Sequence, residues 1–296
     1  MKMFVGVADA QMIALQREKR FDEINYWMPS TAAFRALEPG EMFLFKLHAP
    51  EDKIVGGGYF VRYAELPMDL AWHIFGQKNG LRTYAAFSDK ILKYRRKNLI
   101  SEENPQIGCI VLTEPFFFAE EEWIPAPKDW SRYIVRGKGY STEDEIGREL
   151  YAQVTERLSK RTEEGVTLPD EEHLLAQGAF RVSVIEAYQK RCAITGERTI
   201  PVLDVAHIKP LAKGGPNTVN NGILLRSDLR TLFLNGYLTI DKDFAVQISK
   251  RLSQDYGGGA SYQELQGKSL VQLPENIVEL PAREFLEWHR KHVFLG

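Results

Sequence analysis

His207, Asn221, Arg226 and Arg230 fall close together in the chain and combine an imidazole, an amide and two guanidinium groups. Such a set suits phosphodiester hydrolysis. Water is a poor nucleophile, so a neutral imidazole must accept its proton. The ring must be held in one tautomer and orientation, which a carbonyl from a facing segment can do. The leaving oxygen gathers negative charge that a metal ion or an arginine must offset. On this reading His207 is the base, Asn221 its orienter, and Arg226 and Arg230 the charge. Taken singly, His207 reads more readily as a hydrogen-bonded strand residue and Asn221 before Gly222 as a turn residue. The arginines, four apart, read equally as one solvated helix face.

The elements that would position these groups follow from the residue pattern. Residues 202–208 alternate apolar and polar side chains, as a strand does. Pro210, Gly214, Gly215 and Pro216 break regular structure and mark a loop. Residues 220–225 turn from polar to apolar. From Ser227, a helix N-cap type, Leu229, Leu232 and Phe233 recur at helical spacing. The expected order is strand, loop, strand or turn, then helix.

That stretch resembles the ββα-metal motif of HNH endonucleases. It is most similar to the branch that runs acidic-x-Ala-His-Ile-x-Pro, Gly-Gly, Asn-Gly-apolar-Leu-Leu-Arg, then a helix ending in Leu-Phe. Here those positions are Asp204, Ala206-His207-Ile208, Pro210, Gly214-Gly215, Asn221-Gly222, Leu224-Leu225-Arg226 and Leu232-Phe233. The resemblance implies a nuclease with His207 as general base, Asn221 as the orienting residue and divalent Mg²⁺ or Mn²⁺ as cofactor. The third motif position, usually a metal-ligating His, is Arg230. Three readings of that departure stand open. Asp204 is the remaining metal ligand, or Arg230 gives its charge directly to the phosphate, or the module is inactive. Arg226 joins the set as a DNA-backbone contact. Pro281, Phe285, His289 and Phe294 extend the resemblance over residues 179–296. His289 and His292, three apart, are read as packing or capping the last helix. Many HNH domains also hold a structural zinc on two cysteine pairs. This chain has only Cys109 and Cys192, with Thr195 where a second knuckle cysteine would stand, so no structural zinc is expected.

Residues 1–140 read as short strands with helices between them, a small β-barrel. Residues 42–47 form a strong buried strand. Residues 54–63 carry three glycines, which mark a bulge or a close backbone approach. Tyr26-Trp27 before a helix, Pro39-Gly40-Glu41 before the strand FLFKL, and then IVGGGYF resemble the PUA-like fold, in particular its EVE and YTH group. That resemblance implies a domain that takes a modified base between aromatic rings. Tyr26, Trp27 and Trp72 are the cage candidates, with Asn25 and Ser30 as polar readers. Each aromatic, taken singly, reads more readily as a core residue than as part of a cage. Lys93, Arg95, Arg96 and Lys97 around Tyr94 suit a track of DNA-backbone phosphates.

The chain has 296 residues, 44% hydrophobic and 26% charged, with a formal net charge of -2. This is an ordinary globular composition, with no global basic excess. No apolar run of spanning length and no charged-then-apolar leader is present, so neither membrane span nor secretory signal is expected. Two distant cysteines agree with a reducing cytoplasm. Residues 141–176 are acidic and helical in parts and read as a spacer. The expected architecture is therefore α+β: a PUA-like β-barrel over 1–140, a helical linker over 141–176, and an HNH domain over 177–296. Together the resemblances imply a modification-dependent restriction endonuclease. Its partner would be double-stranded DNA carrying 5-methyl- or 5-hydroxymethylcytosine, and double-strand cleavage by a single-site nuclease is compatible with a homodimer. The alternatives are a reader of modified DNA or RNA with a degraded HNH module, and an RNA-directed protein.

Overall fold

The alternating runs of the amino-terminal half become the strands of one mixed sheet. The computed structural model describes residues 1–96, 102–163 and 177–296. It divides into two units, Met1–Ala179 and Phe180–Gly296. In the first unit the elements run β1 (Lys2–Ala8), α1 (Ala10–Lys19), β2 (Glu23–Met28), β3 (Met42–Leu47), β4 (Lys53–Pro67), α2 (Met68–Phe75), α3 (Tyr84–Arg96), β5 (Gln106–Phe117), β6 (Ile124–Pro125), β7 (Gly137–Ser141) and α4 (Glu145–Glu163). The strand order is β2-β5-β4-β3-β1-β7, with β6 added to β4. β1 and β3 are parallel, and the other pairs are antiparallel.

Two-residue alternation sorts the side chains onto two faces. Met3, Val5, Met42 and Leu44 join one buried cluster, while Phe43, Phe45, Ile24, Phe60 and Leu112 join another. All six residues of β3 are therefore buried. The three glycines of β4 fill both roles foreseen for them. A Cβ on Gly57 would lie 2.6 Å from the Phe43 carbonyl oxygen, and the register with β5 shifts between Gly57 and Tyr59.

Two expectations are corrected here. The sheet is open rather than a closed barrel: β2 and β7 end the strand order among the described residues. A sheet covered on both faces buries its apolar surface without closing on itself. The stretch expected to act as a linker supplies part of that cover. Leu150, Val154 and Leu158 of α4, spaced four apart, pack into the cluster with Met3, Val5 and Tyr140. The acidic character that suggested a spacer belongs to outward positions such as Glu149 and Glu156. Residues 164–176 of that stretch lie outside the described residues.

The second unit contains most of α5 (Gln177–Ala187), then β8 (Leu203–His207), β9 (Gly222–Arg226), α6 (Ser227–Leu234), β10 (Leu238–Ile240), β11 (Val246–Ile248), α7 (Arg251–Tyr256), α8 (Ala260–Gln263) and α9 (Arg283–His292). β8 pairs with β9, and β10 with β11, each antiparallel. Phe180, Val184, Tyr188, Leu224, Leu229 and Phe233 are buried within it. His289 also packs there, as its sequence position suggested. Its ring stacks on Phe233 at 3.8 Å, Nδ1 meets the Thr239 hydroxyl at 2.8 Å, and Nε2 meets the Phe233 carbonyl at 3.0 Å. Burial lowers its pKa to about 4, so it stays neutral and serves packing.

Candidate active site

β8 ends at His207, opposite Gly222 of β9. The loop between them is held by Asn221, which is fully buried. Its Oδ1 accepts from the Lys209 N–H at 2.9 Å, and its Nδ2 donates to the carbonyls of Lys209 at 2.9 Å and Pro216 at 2.8 Å. Both ends of the loop are thereby tied to one amide. The motif glycines follow from this closeness. A Cβ on Gly215 would lie 1.9 Å from the Lys209 carbonyl oxygen, and one on Gly222 would lie 2.3 Å from Val184. Helix α6 starts directly after β9, which places Arg230 beside the first strand: its Nε donates to the Val205 carbonyl at 3.0 Å.

The His207 ring lies flat on Phe180, with centroids 4.1 Å apart and planes 16° from parallel. Its Nε2 is 2.7 Å from Asn217 Oδ1. With that oxygen as acceptor, Nε2 carries the hydrogen and Nδ1 keeps a lone pair. Burial pushes the imidazole below its ordinary pKa, and the Arg230 charge pushes the same way, while the bond to Asn217 opposes both. The neutral base form is favoured near pH 7. The orienting contact is a correction: Asn221 shapes the loop, and Asn217 holds the ring. Sequence reading missed Asn217 because the motif points to the Asn-Gly pair. The only available signal was a second amide four residues earlier.

Asp204, the expected metal ligand, is enclosed by N–H donors. Its Oδ1 accepts from Arg181 Nη2 at 3.0 Å and from the Val205 N–H at 2.9 Å, and its Oδ2 lies 3.3 Å from Arg230 Nε. A divalent Mg²⁺ or Mn²⁺ needs several oxygen ligands free to face it. Among the described residues no three His, Cys, Asp or Glu side chains gather where an ion could be held. These residues do not fit the metal site that the resemblance implied. Arg226 is also committed locally. It closes β9 rather than sharing a helix face with Arg230, and its guanidinium bonds Asp228 through two contacts of 2.7 and 2.8 Å.

The base-reading candidates do not form one cage. Alternation along β2 places Asn25 and Trp27 on one face and Tyr26 on the other. Tyr26 packs on Phe43 at 4.6 Å and donates its hydroxyl hydrogen to the Val7 carbonyl at 2.7 Å. Trp27 is buried, with its indole N–H on the Asn79 carbonyl at 3.0 Å and its ring edge-on to Phe87 and Tyr94. Asn25 is fully buried and donates to Asn79 Oδ1. These three are core residues. Trp72 is half-buried and shares Phe87 with Trp27, at 5.5 Å. The Ser30 hydroxyl is buried with no partner among the described residues. Of the basic run, Lys93 is exposed. Arg95 instead turns inward, donating to the Pro29 and Gln106 carbonyls and pairing with Glu102. The Arg96 side chain and Lys97 lie outside the described residues.

A hairpin with His207 at its strand end, an amide-braced loop and a following helix together make a ββα arrangement. Residues 192–241 match the family described as HNH endonuclease. A search of curated proteins finds no match. Among solved structures, ASCH from Zymomonas mobilis is 10% identical, covering 51% of this chain and 94% of its own at a TM-score of 0.33. The modification-dependent TagI restriction endonuclease is 14% identical, covering 93% and 76% at a TM-score of 0.29. The type IV phosphorothioation-dependent restriction endonuclease ScoMcrA is 15% identical, covering 90% and 53% at a TM-score of 0.21.

Proposed function

We propose that this chain is a modification-dependent endonuclease that hydrolyses phosphodiester bonds in duplex DNA carrying modified cytosine. The observation that carries the catalytic half is the state of His207. A ring stacked on Phe180, bonded through Nε2 and shifted toward its neutral form is a base whose Nδ1 lone pair is ready for a water proton. Asn217 orients that ring, Asn221 keeps the loop closed around it, and Arg230 brings positive charge beside it. In the first unit, Trp72 and Ser30 remain as base-reading residues and Lys93 as a backbone contact. Trp72 offers an aromatic face, and the Ser30 hydroxyl an unused donor and acceptor.

The test is cleavage of one duplex in unmodified, 5-methylcytosine and 5-hydroxymethylcytosine forms, with Mg²⁺, with Mn²⁺ and with EDTA. Cutting restricted to a modified form is expected. His207→Ala should lower the rate by about 10²–10⁴-fold with DNA binding unchanged. Equal cutting of all three duplexes would leave the nuclease and remove the reader. Selective binding without any cutting would favour a second reading, a reader with an inactive nuclease module. The enclosure of Asp204 by two arginines is the observation behind that reading.

A further inference from the structure

Arg181 has had no part in the chemistry so far. It follows Phe180, the ring under His207, and its Nη2 holds Asp204 Oδ1 at 3.0 Å. Its Nε is buried and has no hydrogen-bond partner among the described residues. A guanidinium donor left unpaired away from water is costly unless a ligand completes it. Arg230 reaches the other oxygen of the same carboxylate. Two guanidiniums therefore share one Asp204 carboxylate, and the trio keeps one positive charge in excess. Around that buried Nε, the side chains of Arg181, Asp204 and Arg230 are otherwise partly exposed, at 28%, 33% and 34%.

We propose that Arg181 and Arg230 form the subsite for the scissile phosphate, with Asp204 positioning the two guanidiniums instead of ligating a cation. The planar fork of an arginine matches two phosphate oxygens, and a phosphodiester carries the single negative charge that the trio leaves unbalanced. The inference rests on the phosphodiester reading above and deepens it. As the water oxygen bonds to phosphorus, the bond to the leaving sugar oxygen breaks. The water proton passes to His207 Nδ1, and the leaving oxygen departs with its electron pair. That oxygen then takes a proton from solvent, and His207 returns its proton there. The arginines hold the phosphate oxygens while charge builds on them.

The experiment uses the full chain in EDTA, titrated with the dinucleotide dTpT while the arginine Nε–H resonances are followed by NMR. Arg181→Lys identifies the Arg181 signal and tests its role. Lysine keeps the charge facing Asp204 but lacks the fork. The Arg181 Nε–H signal should move on titration. Duplex cleavage in EDTA should stay within about threefold of that in Mg²⁺, and Arg181→Lys should lower it by about 10–100-fold. A dinucleotide shift at Arg181 without duplex cleavage would uphold the subsite and remove the nuclease reading. Cleavage that requires Mg²⁺ or Mn²⁺, together with an unmoved Arg181 signal and a fully active Arg181→Lys, would overturn the subsite and leave the nuclease reading in place.

Discussion

At the scale of single residues, the exchange of Asn221 for Asn217 matters most. Both are amides, and both lie near His207 in sequence. Asn221 faces inward and makes three bonds to backbone groups of the loop, none of them to the ring. Asn217 sits on the loop and reaches Nε2. The role of Asn217 has a pH signature. In the proposed mechanism the neutral ring is the base, so activity should fall as pH drops through its pKa. Burial places that acid limb below the ordinary 6.5. Asn217→Ala removes the one contact that raises the pKa, so the limb should move to still lower pH. The plateau should fall by about tenfold or more as the ring loses its orientation. A pH profile of kcat/KM for both proteins checks this, and a limb that moves upward counts against the assignment.

At the scale of elements, the residue pattern placed the strands, the loop and the helix after Arg226 near their observed positions, because apolar spacing is local. It misjudged α4, whose apolar stripe of Leu150, Val154 and Leu158 is thin against an acidic background. Only the sheet beneath turns that stripe into a core contact. Leu150→Ala should therefore cost about 2–5 kcal/mol of stability in the first unit, as core truncations do. Urea denaturation of the variant measures it. A change below about 0.5 kcal/mol, typical of exposed sites, would return α4 to a spacer role.

At the scale of the whole molecule, a formal net charge of -2 means that the DNA affinity the proposed function requires must come from local positive groups. Two basic side chains that looked available are engaged: Arg95 holds backbone carbonyls and Arg226 is paired with Asp228. Few phosphates should then be neutralised on binding. The slope of log affinity against log salt should be shallow, no steeper than about −4, at roughly 0.9 per phosphate contact. Binding measured across a salt series checks this, and a slope near −10 would require a basic surface well beyond the residues named here.

The order of residues alone determined the hairpin, its glycine-rich loop and the helix, because each depends on neighbours a few positions away. His207, Gly215, Gly222 and the start of α6 were legible for that reason. Three-dimensional packing decided the rest. It brought Phe180 under His207, joined Arg181 and Arg230 on Asp204, put the Trp27 indole N–H on the Asn79 carbonyl, and left the sheet open. Those outcomes depend on which distant surfaces meet and which donors find acceptors there. Local spacing carries no record of such meetings.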